Sequence, residues 1–310
     1  MKPNIVFITL LAIFLHYSCD NLQKEFNPNN LHWVAQKGYL LDNVQRLRAK
    51  GKLPAPEIKL KMNGETHWMA LDIYQPFLIL KENEFNLDNF APSNIVSVVK
   101  GNHEMLMEDG FIKNIQILGT EYDITHCSLL KKSSQKLYCK GLVGRNFFDD
   151  KVITLDFRNK AVAYSEKAIK SLSNSYRIPF VFRKTSDVNY PLIYFRGMID
   201  SVDILMTVNT CQRYSHISPE LCDKLDYDQK NGYAKIGELQ IQNFITKGLK
   251  CKVDDNLIYS SPQGNELLEF SLGLNVIRDY LVTFDLPDSC FYLEEYAKTV
   301  KTKEVKKNNN

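Results

Sequence analysis

The chain has 310 residues, 44 % of them hydrophobic and 24 % charged, and a formal net charge of +3. That length allows one large domain or two of ordinary size, and the composition is that of a globular protein rather than a disordered or fibrous one. So small a charge argues against nucleic acid as a partner.

Lys2 precedes an apolar run over residues 5–15, followed by His16-Tyr17-Ser18-Cys19. This run is too short to span a bilayer, which needs roughly 20 residues. It fits the apolar region of an export signal, with small Ser18 at the cleavage position. A Cys directly after a small residue at that point resembles the bacterial lipoprotein signal, in which the Cys is diacylated and becomes the new N-terminus. The usual apolar residue three places before the Cys is here His16, with Leu15 one place early. The resemblance implies that residues 1–18 are removed, that Cys19 carries lipid, and that the protein is a membrane-anchored lipoprotein of the bacterial cell envelope. The plainer alternative is a secretory signal with ordinary cleavage nearby.

Residues 20–30 are polar and suit a tether. Leu31, Val34, Ala35, Leu41, Val44 and Leu47 fall at largely helical spacing, which predicts a short helical region closed by Gly51 and Pro54. Residues 19–54 therefore read as tether and helix. Beyond Pro56 come short alternating or apolar runs separated by Asn-Gly, Gly and Asp turns. Strands are predicted over 58–62, 67–72, 77–80, 95–99, 111–118 and 152–157. Many short strands and few helices predict a mainly β body, a barrel or a sandwich. The stretch 296–310 holds five lysines and ends in three asparagines, which predicts a disordered basic tail.

An internal repeat organises the body. Residues 143–166 and 272–295 match at a constant offset of 129: Gly144 with Gly273, Asn146 with Asn275, Asp150 with Asp279, Thr154 with Thr283, Asp156 with Asp285, and Glu166 with Glu295. Shared β-propensity constrains apolar content and does not select particular Asp and Thr residues. The repeat predicts a duplication, with a first lobe at 55–166, a connector at 167–191 and a second lobe at 192–295.

The repeated segments resemble the closing segment of each lobe in retropepsin- and pepsin-like aspartic proteases: apolar-apolar-Gly, a short amphipathic helix, a strand ending in Asp, and a hairpin back. The resemblance implies two duplicated β-barrel lobes with pseudo-twofold symmetry and few short helices, and it covers most of residues 57–295. In that family each lobe opens with a strand entering Asp-Thr-Gly. Here the first triplet is Asp72-Ile73-Tyr74, after the turn Asn63-Gly64. The second is Asn209-Thr210-Cys211, followed by Ser218 and Pro219 as the cap and first residue of a helix. Asp203 is a rival for the second position, although it begins its strand instead of ending it. Read without the repeat, an Asp after an apolar strand is a turn or cap residue. Gly101-Asn102-His103-Glu104 falls where a flap would lie but lacks that family's aromatic-Gly signature.

Aspartic proteases set two carboxylates against one water, one ionised and one protonated. By resemblance Asp72 is the surviving carboxylate, Asn209 the degenerate partner, and Thr210 the hydroxyl that locks the two loops together. Ile73 cannot supply the second such hydroxyl. Asparagine cannot exchange a proton, and Tyr74 and Cys211 put bulk where a glycine belongs. The expectation is a catalytically degenerate protein that binds a peptide or protein ligand in the inter-lobe cleft. An active aspartic endopeptidase with an unusual site, through Asp203 or two Asp72 residues in a dimer, is the alternative. A structural envelope lipoprotein is the second alternative.

Without Cys19, six cysteines are left, Cys127, Cys139, Cys211, Cys222, Cys251 and Cys290, an even set suited to an oxidising compartment. Cys127 and Cys139 flank a polar turn and are predicted to close one hairpin; Cys211 with Cys222 and Cys251 with Cys290 are further pairings. The chain has no CxxC and no HExxH, so neither a metal nor another cofactor is expected. His126 reads as a surface residue, and Tyr74 and Phe77 as core residues or cleft lining.

Overall fold

A computed structural model describes residues 26–49, 55–99, 105–133, 139–184, 191–264 and 266–296. Cys19 and the export segment, Gly51 and Pro54, Gly101 to Glu104, and the tail from 297 onward lie outside the described residues. The protein is mainly β. The first half holds β1 (Val44–Arg46), β2 (Glu57–Met62), β3 (Glu65–Asp72), β4 (Leu78–Lys81), β5 (Phe90–Val99), β6 (Met105–Ile117), β7 (Thr120–Ser133), β8 (Gly141–Gly144), β9 (Val152–Asp156) and β10 (Ala161–Ser165). The second holds β11 (Ser175–Pro179), β12 (Val181–Lys184), β13 (Pro191–Ile199), β14 (Val202–Val208), β15 (Ser215–Ile217), β16 (Tyr233–Lys235), β17 (Glu238–Ile241), β18 (Phe244–Lys247), β19 (Lys250–Val253), β20 (Leu268–Leu272), β21 (Leu281–Asp285) and β22 (Cys290–Glu294). Among the described residues there are three short α-helices: α1 (His32–Lys37), α2 (Pro219–Lys224) and α3 (Leu274–Ile277).

Local chemistry sets the first hairpin. Asn63 and Gly64 take φ of 50° and 80°, the left-handed pair that a two-residue turn between twisted strands requires. The turn puts Met62 opposite Glu65, so Ile58, Leu60 and Met62 face inward while Lys59 and Lys61 face solvent. This hairpin belongs to a seven-stranded sheet ordered β2-β3-β8-β4-β7-β6-β5. The second half builds a sheet containing the run β13-β14-β20-β15-β19. In each run the successive pairings are antiparallel, parallel, antiparallel, parallel.

A third sheet, ordered β1-β10-β9-β21-β22-β11, joins the halves. Its two central strands are buried at every position, because both faces are covered. Val162 and Val282 enter the main core, whereas Ala161, Ala163 and Leu281 pack beneath Trp33, Val34 and Tyr39. Thr154 stands opposite Thr283 in register, with hydroxyls 2.8 Å apart. Their polar chain continues to Tyr39 Oη (2.7 Å from Thr154) and to Glu294, which accepts from Thr283 at 3.0 Å. Glu294 also meets Lys37 Nζ at 2.6 Å, both side chains fully buried. The repeated aspartates cap their hairpin turns: Asp156 accepts from Asn159 N at 2.9 Å and Asp285 from Asp288 N at 3.2 Å.

One expectation needs correction. The predicted helical region stops early: α1 ends at Gly38, whose φ of 86° caps it, and Val44–Arg46 instead pairs with β10 as a sheet edge. A six-residue helix is too short to stand alone, and packing on the third sheet sustains it. The connector at 167–191 carries β11 and β12, with β11 lying against β22. The order of 175–179 comes from β22, more than a hundred residues away, and that of 181–184 from the neighbouring β13.

Candidate functional site

Asp72 ends β3, and Asn209 follows the end of β14. Each turns its Oδ1 back into its own loop. Asp72 accepts from Tyr74 N at 3.0 Å, and Asn209 from Cys211 N at 2.8 Å and Gln212 N at 3.1 Å. The loops are seated alike. Arg145 N donates to Gln75 O at 2.8 Å, and Leu274 N to Gln212 O at 2.9 Å. Gly144 and Gly273, beside them, have no room for a Cβ, which would stand 2.4 Å from Pro76 C and 2.5 Å from Tyr214 C, both backbone atoms. Asp72 and Asn209 thus occupy matching places in two similarly built loops.

Thr210 ties the loops across the halves. Its hydroxyl donates to Leu71 O at 2.8 Å and accepts from Ile73 N at 3.1 Å. Ile73 has no hydroxyl to return the bond and is instead packed in the main core. Tyr74 reaches the other half and packs against the cluster of Leu192, Tyr194, Leu205, Leu257 and Leu268. Asp72 is 3 % exposed and Asn209 8 %. Burial pushes the Asp72 carboxyl up to about 6, against the opposing pull of the Tyr74 and Gln75 N–H groups and the Arg145 charge. This gives one titratable acid and one amide. A lone buried acid can hold or release a proton near pH 6, but the two-carboxylate exchange has no second member here.

The rival residue is elsewhere. Asp203 lies at the start of β14 with its side chain 62 % exposed, paired to Arg196 at 2.8 Å. The six cysteines after Cys19 are all free thiols. Cys127 with Cys139 fails because β4 lies between β7 and β8, placing the two residues on opposite sides of it. Cys127 pairs with Leu78, while Lys140, beside Cys139, bonds Lys81 at the far end of β4. Two strand spacings of about 4.8 Å already exceed the roughly 7 Å Cα limit of a disulfide. Cys211 sits in the loop beside Leu71 O, whereas Cys222 is in the core on α2. Cys251 and Cys290 are on different sheets. Burial pushes the thiols of Cys127, Cys211 and Cys251 up, which makes them poor nucleophiles.

Sequence reasoning missed Arg145. It is 2 % exposed, donates to Tyr74 O at 3.2 Å and to Pro191 O, and lies under the Phe182 ring. Only its place after the apolar-Gly motif could have drawn attention to it. Also missed was a network beside the second loop, in which His216 Nδ1 lies 2.6 Å from Asp254 Oδ2 and 3.3 Å from Gln212 Nε2. His126 is half-buried rather than superficial, with its ring 4.7 Å from that of Phe77. Among the described residues no group of three or more His, Cys, Asp and Glu could hold a metal, and no helix is long and apolar enough to cross a membrane. No family model matches the chain, and no curated protein matches it.

Proposed function

We propose that this chain is an exported protein, anchored through a lipidated Cys19, that has an aspartic-protease-like design without the protease chemistry and binds an extended peptide or protein segment. The observation that carries the reading is the amide of Asn209 at the place matching the Asp72 carboxyl. Such a site cannot pass a proton between paired carboxylates. The repeated five-strand order, the matching loops and the Thr154–Thr283 contact at the repeat offset support descent of residues 55–166 and 192–295 from one duplicated lobe.

Tyr74 packs across the halves beside Asp72, so the ligand belongs on the outer surface in preference to the cleft. β5 ends its sheet, and none of its ten residues is charged. Ile95 and Val96 on it are each 58 % exposed. Pro92 and the bulge before Ile95 interrupt the first part of this edge, and the stretch from Ile95 onward can accept another strand by backbone pairing. The competing reading, a working endopeptidase, draws on the readiness of Asp72 to titrate near pH 6.

A peptide-library digest at about pH 3–7, the range where carboxylate pairs titrate, separates the two. No cleavage is expected from the wild type, Asp72→Asn or Asp203→Asn. Cleavage by the wild type that either substitution abolishes establishes the peptidase instead. Peptide capture by the wild type should weaken in Val96→Lys; capture unchanged by that charge removes β5 from the proposal.

A further inference from the structure

The outer face of β15, β16 and β19 is basic. Ser215, Ala234 and Cys251 turn inward and are buried, so the alternate positions on these strands face out. Lys235, Lys250 and Lys252 stand there exposed, and Tyr233, opposite Lys252, is half-buried. Arg213 and Tyr214, just before β15, extend the patch. Lys250 Nζ lies 4.1 Å from the centre of the Tyr233 ring and 5.9 Å from that of Tyr214, and the Arg213 guanidinium lies 5.4 Å from the Tyr214 ring. The two rings meet edge to face at 5.4 Å, which fixes the centre of the patch.

The fold leaves these cations without counter-ions. Lys235 and Lys250 are directly opposed in register, an arrangement that is unfavourable for like charges. Among the described residues none of Arg213, Lys235, Lys250 and Lys252 is in an ion pair. Asp254, two residues beyond Lys252, is held by His216 at 2.6 Å, and Asp228 pairs with Lys230 at 2.7 Å.

Such a surface is complementary to a polyanion, and its spacing favours a peptide. Lys250 and Lys252 are two residues apart on one strand face, about 6.6 Å, the same spacing as alternate carboxylates along an extended chain. The tyrosines add apolar ring faces and hydroxyl donors. We infer that this face docks an acidic, extended segment of a partner protein. It is separate from β5, so acidic-segment binding here stands whether or not β5 accepts a strand.

The test is fluorescence anisotropy of a labelled peptide of alternating Glu and Ser, titrated with the full-length chain. Saturable binding is expected, absent for the matching Gln peptide and weakened by added salt. Lys250→Glu should weaken it about tenfold, since reversal replaces an attraction by a repulsion. Arg213→Glu serves if Lys250→Glu does not fold. Lys113→Glu, on β6, makes the same change in net charge and should leave binding as it was. Absence of saturable binding, or equal weakening by Lys250→Glu and Lys113→Glu, overturns the inference. Loss of binding in Val96→Lys assigns the peptide to β5 instead and overturns it too. So does displacement of the peptide by a sulfated disaccharide or a short single-stranded DNA at concentrations where unlabelled Glu peptide does not compete.

Discussion

Thr210 donates its hydroxyl to the carbonyl of Leu71, 139 residues earlier, at 2.8 Å, and the same oxygen accepts the N–H of Ile73 at 3.1 Å. One side chain thereby satisfies two backbone groups of the opposite loop. Thr210→Val keeps the shape, leaves Ile73 N unpaired and leaves Leu71 O only the weak Cys211 thiol donor at 3.5 Å. At about 1–3 kcal/mol for each buried group left unpaired, a loss of about 2–4 kcal/mol is expected. Thr210→Ser should keep most of that stability. Urea denaturation of the three proteins checks this, and equal midpoints for Val and Thr would show that the link contributes nothing.

Asp72→Asn should stabilise the fold at neutral pH. The folded carboxyl titrates near 6, whereas the unfolded one titrates near the ordinary 3.8. Below about 4 both states hold the proton. As pH rises from about 4 to 6 the unfolded chain releases its proton first, so stability falls, and above about 6 the full cost of the buried carboxylate is present. At roughly 1.4 kcal/mol per pKa unit, the gain on substitution at pH 7 is about 1–3 kcal/mol. Asn209 already makes the same type of loop bonds, so an amide fits. Denaturation at pH 4 and pH 7 should show a pH dependence in the wild type that flattens in the variant; a less stable variant at pH 7 contradicts this.

Lys37 and Glu294 form an ion pair with no exposed side-chain surface. Burial presses the ammonium below its ordinary pKa, and Glu294 holds it charged. Lys37→Met leaves a carboxylate buried without its cation and should cost about 3–5 kcal/mol. Lys37→Met with Glu294→Gln should recover at least half, because the amide oxygen can still accept from Leu172 N while the amide NH2 turns to the Thr283 hydroxyl as donor. A double variant no more stable than the single one would show that the charge itself is not the source of the loss.

The two repeated aspartates should differ in worth. Asp156 accepts from Asn159 N, and also from Trp33 Nε1 at 2.6 Å and Tyr296 Oη at 2.9 Å, whereas Asp285 caps its turn through Asp288 N. Asp156→Ala leaves a buried indole N–H unpaired and should cost about 2–4 kcal/mol, against about 1 kcal/mol for Asp285→Ala. Thermal or urea unfolding of both variants decides it, and equal losses would refute the distinction.

The amino-acid sequence alone determined the features written in local chemistry. Alternating burial along β2, the Asn63-Gly64 turn, and the Ser218 cap, whose Oγ accepts from Leu221 N at 3.1 Å, depend on neighbours a few residues away. So does the placing of Asp72 and Asn209 at the ends of apolar strands, and the repeat exposed the relation between distant positions because its polar residues are the turn and contact groups themselves. Only the tertiary structure decided what each residue meets. β11 has no pattern of its own and is ordered by β22; Val44 leaves a helical register to pair with Ala163. Cys127 and Cys139 look like hairpin partners until β4 enters between their strands. Tyr74 and Arg145 carry no local signal, since one is defined by a cluster in the other half and the other by the carbonyls of Tyr74 and Pro191. Periodicity records which side of an element is buried, and the partner that buries it is chosen by long-range packing.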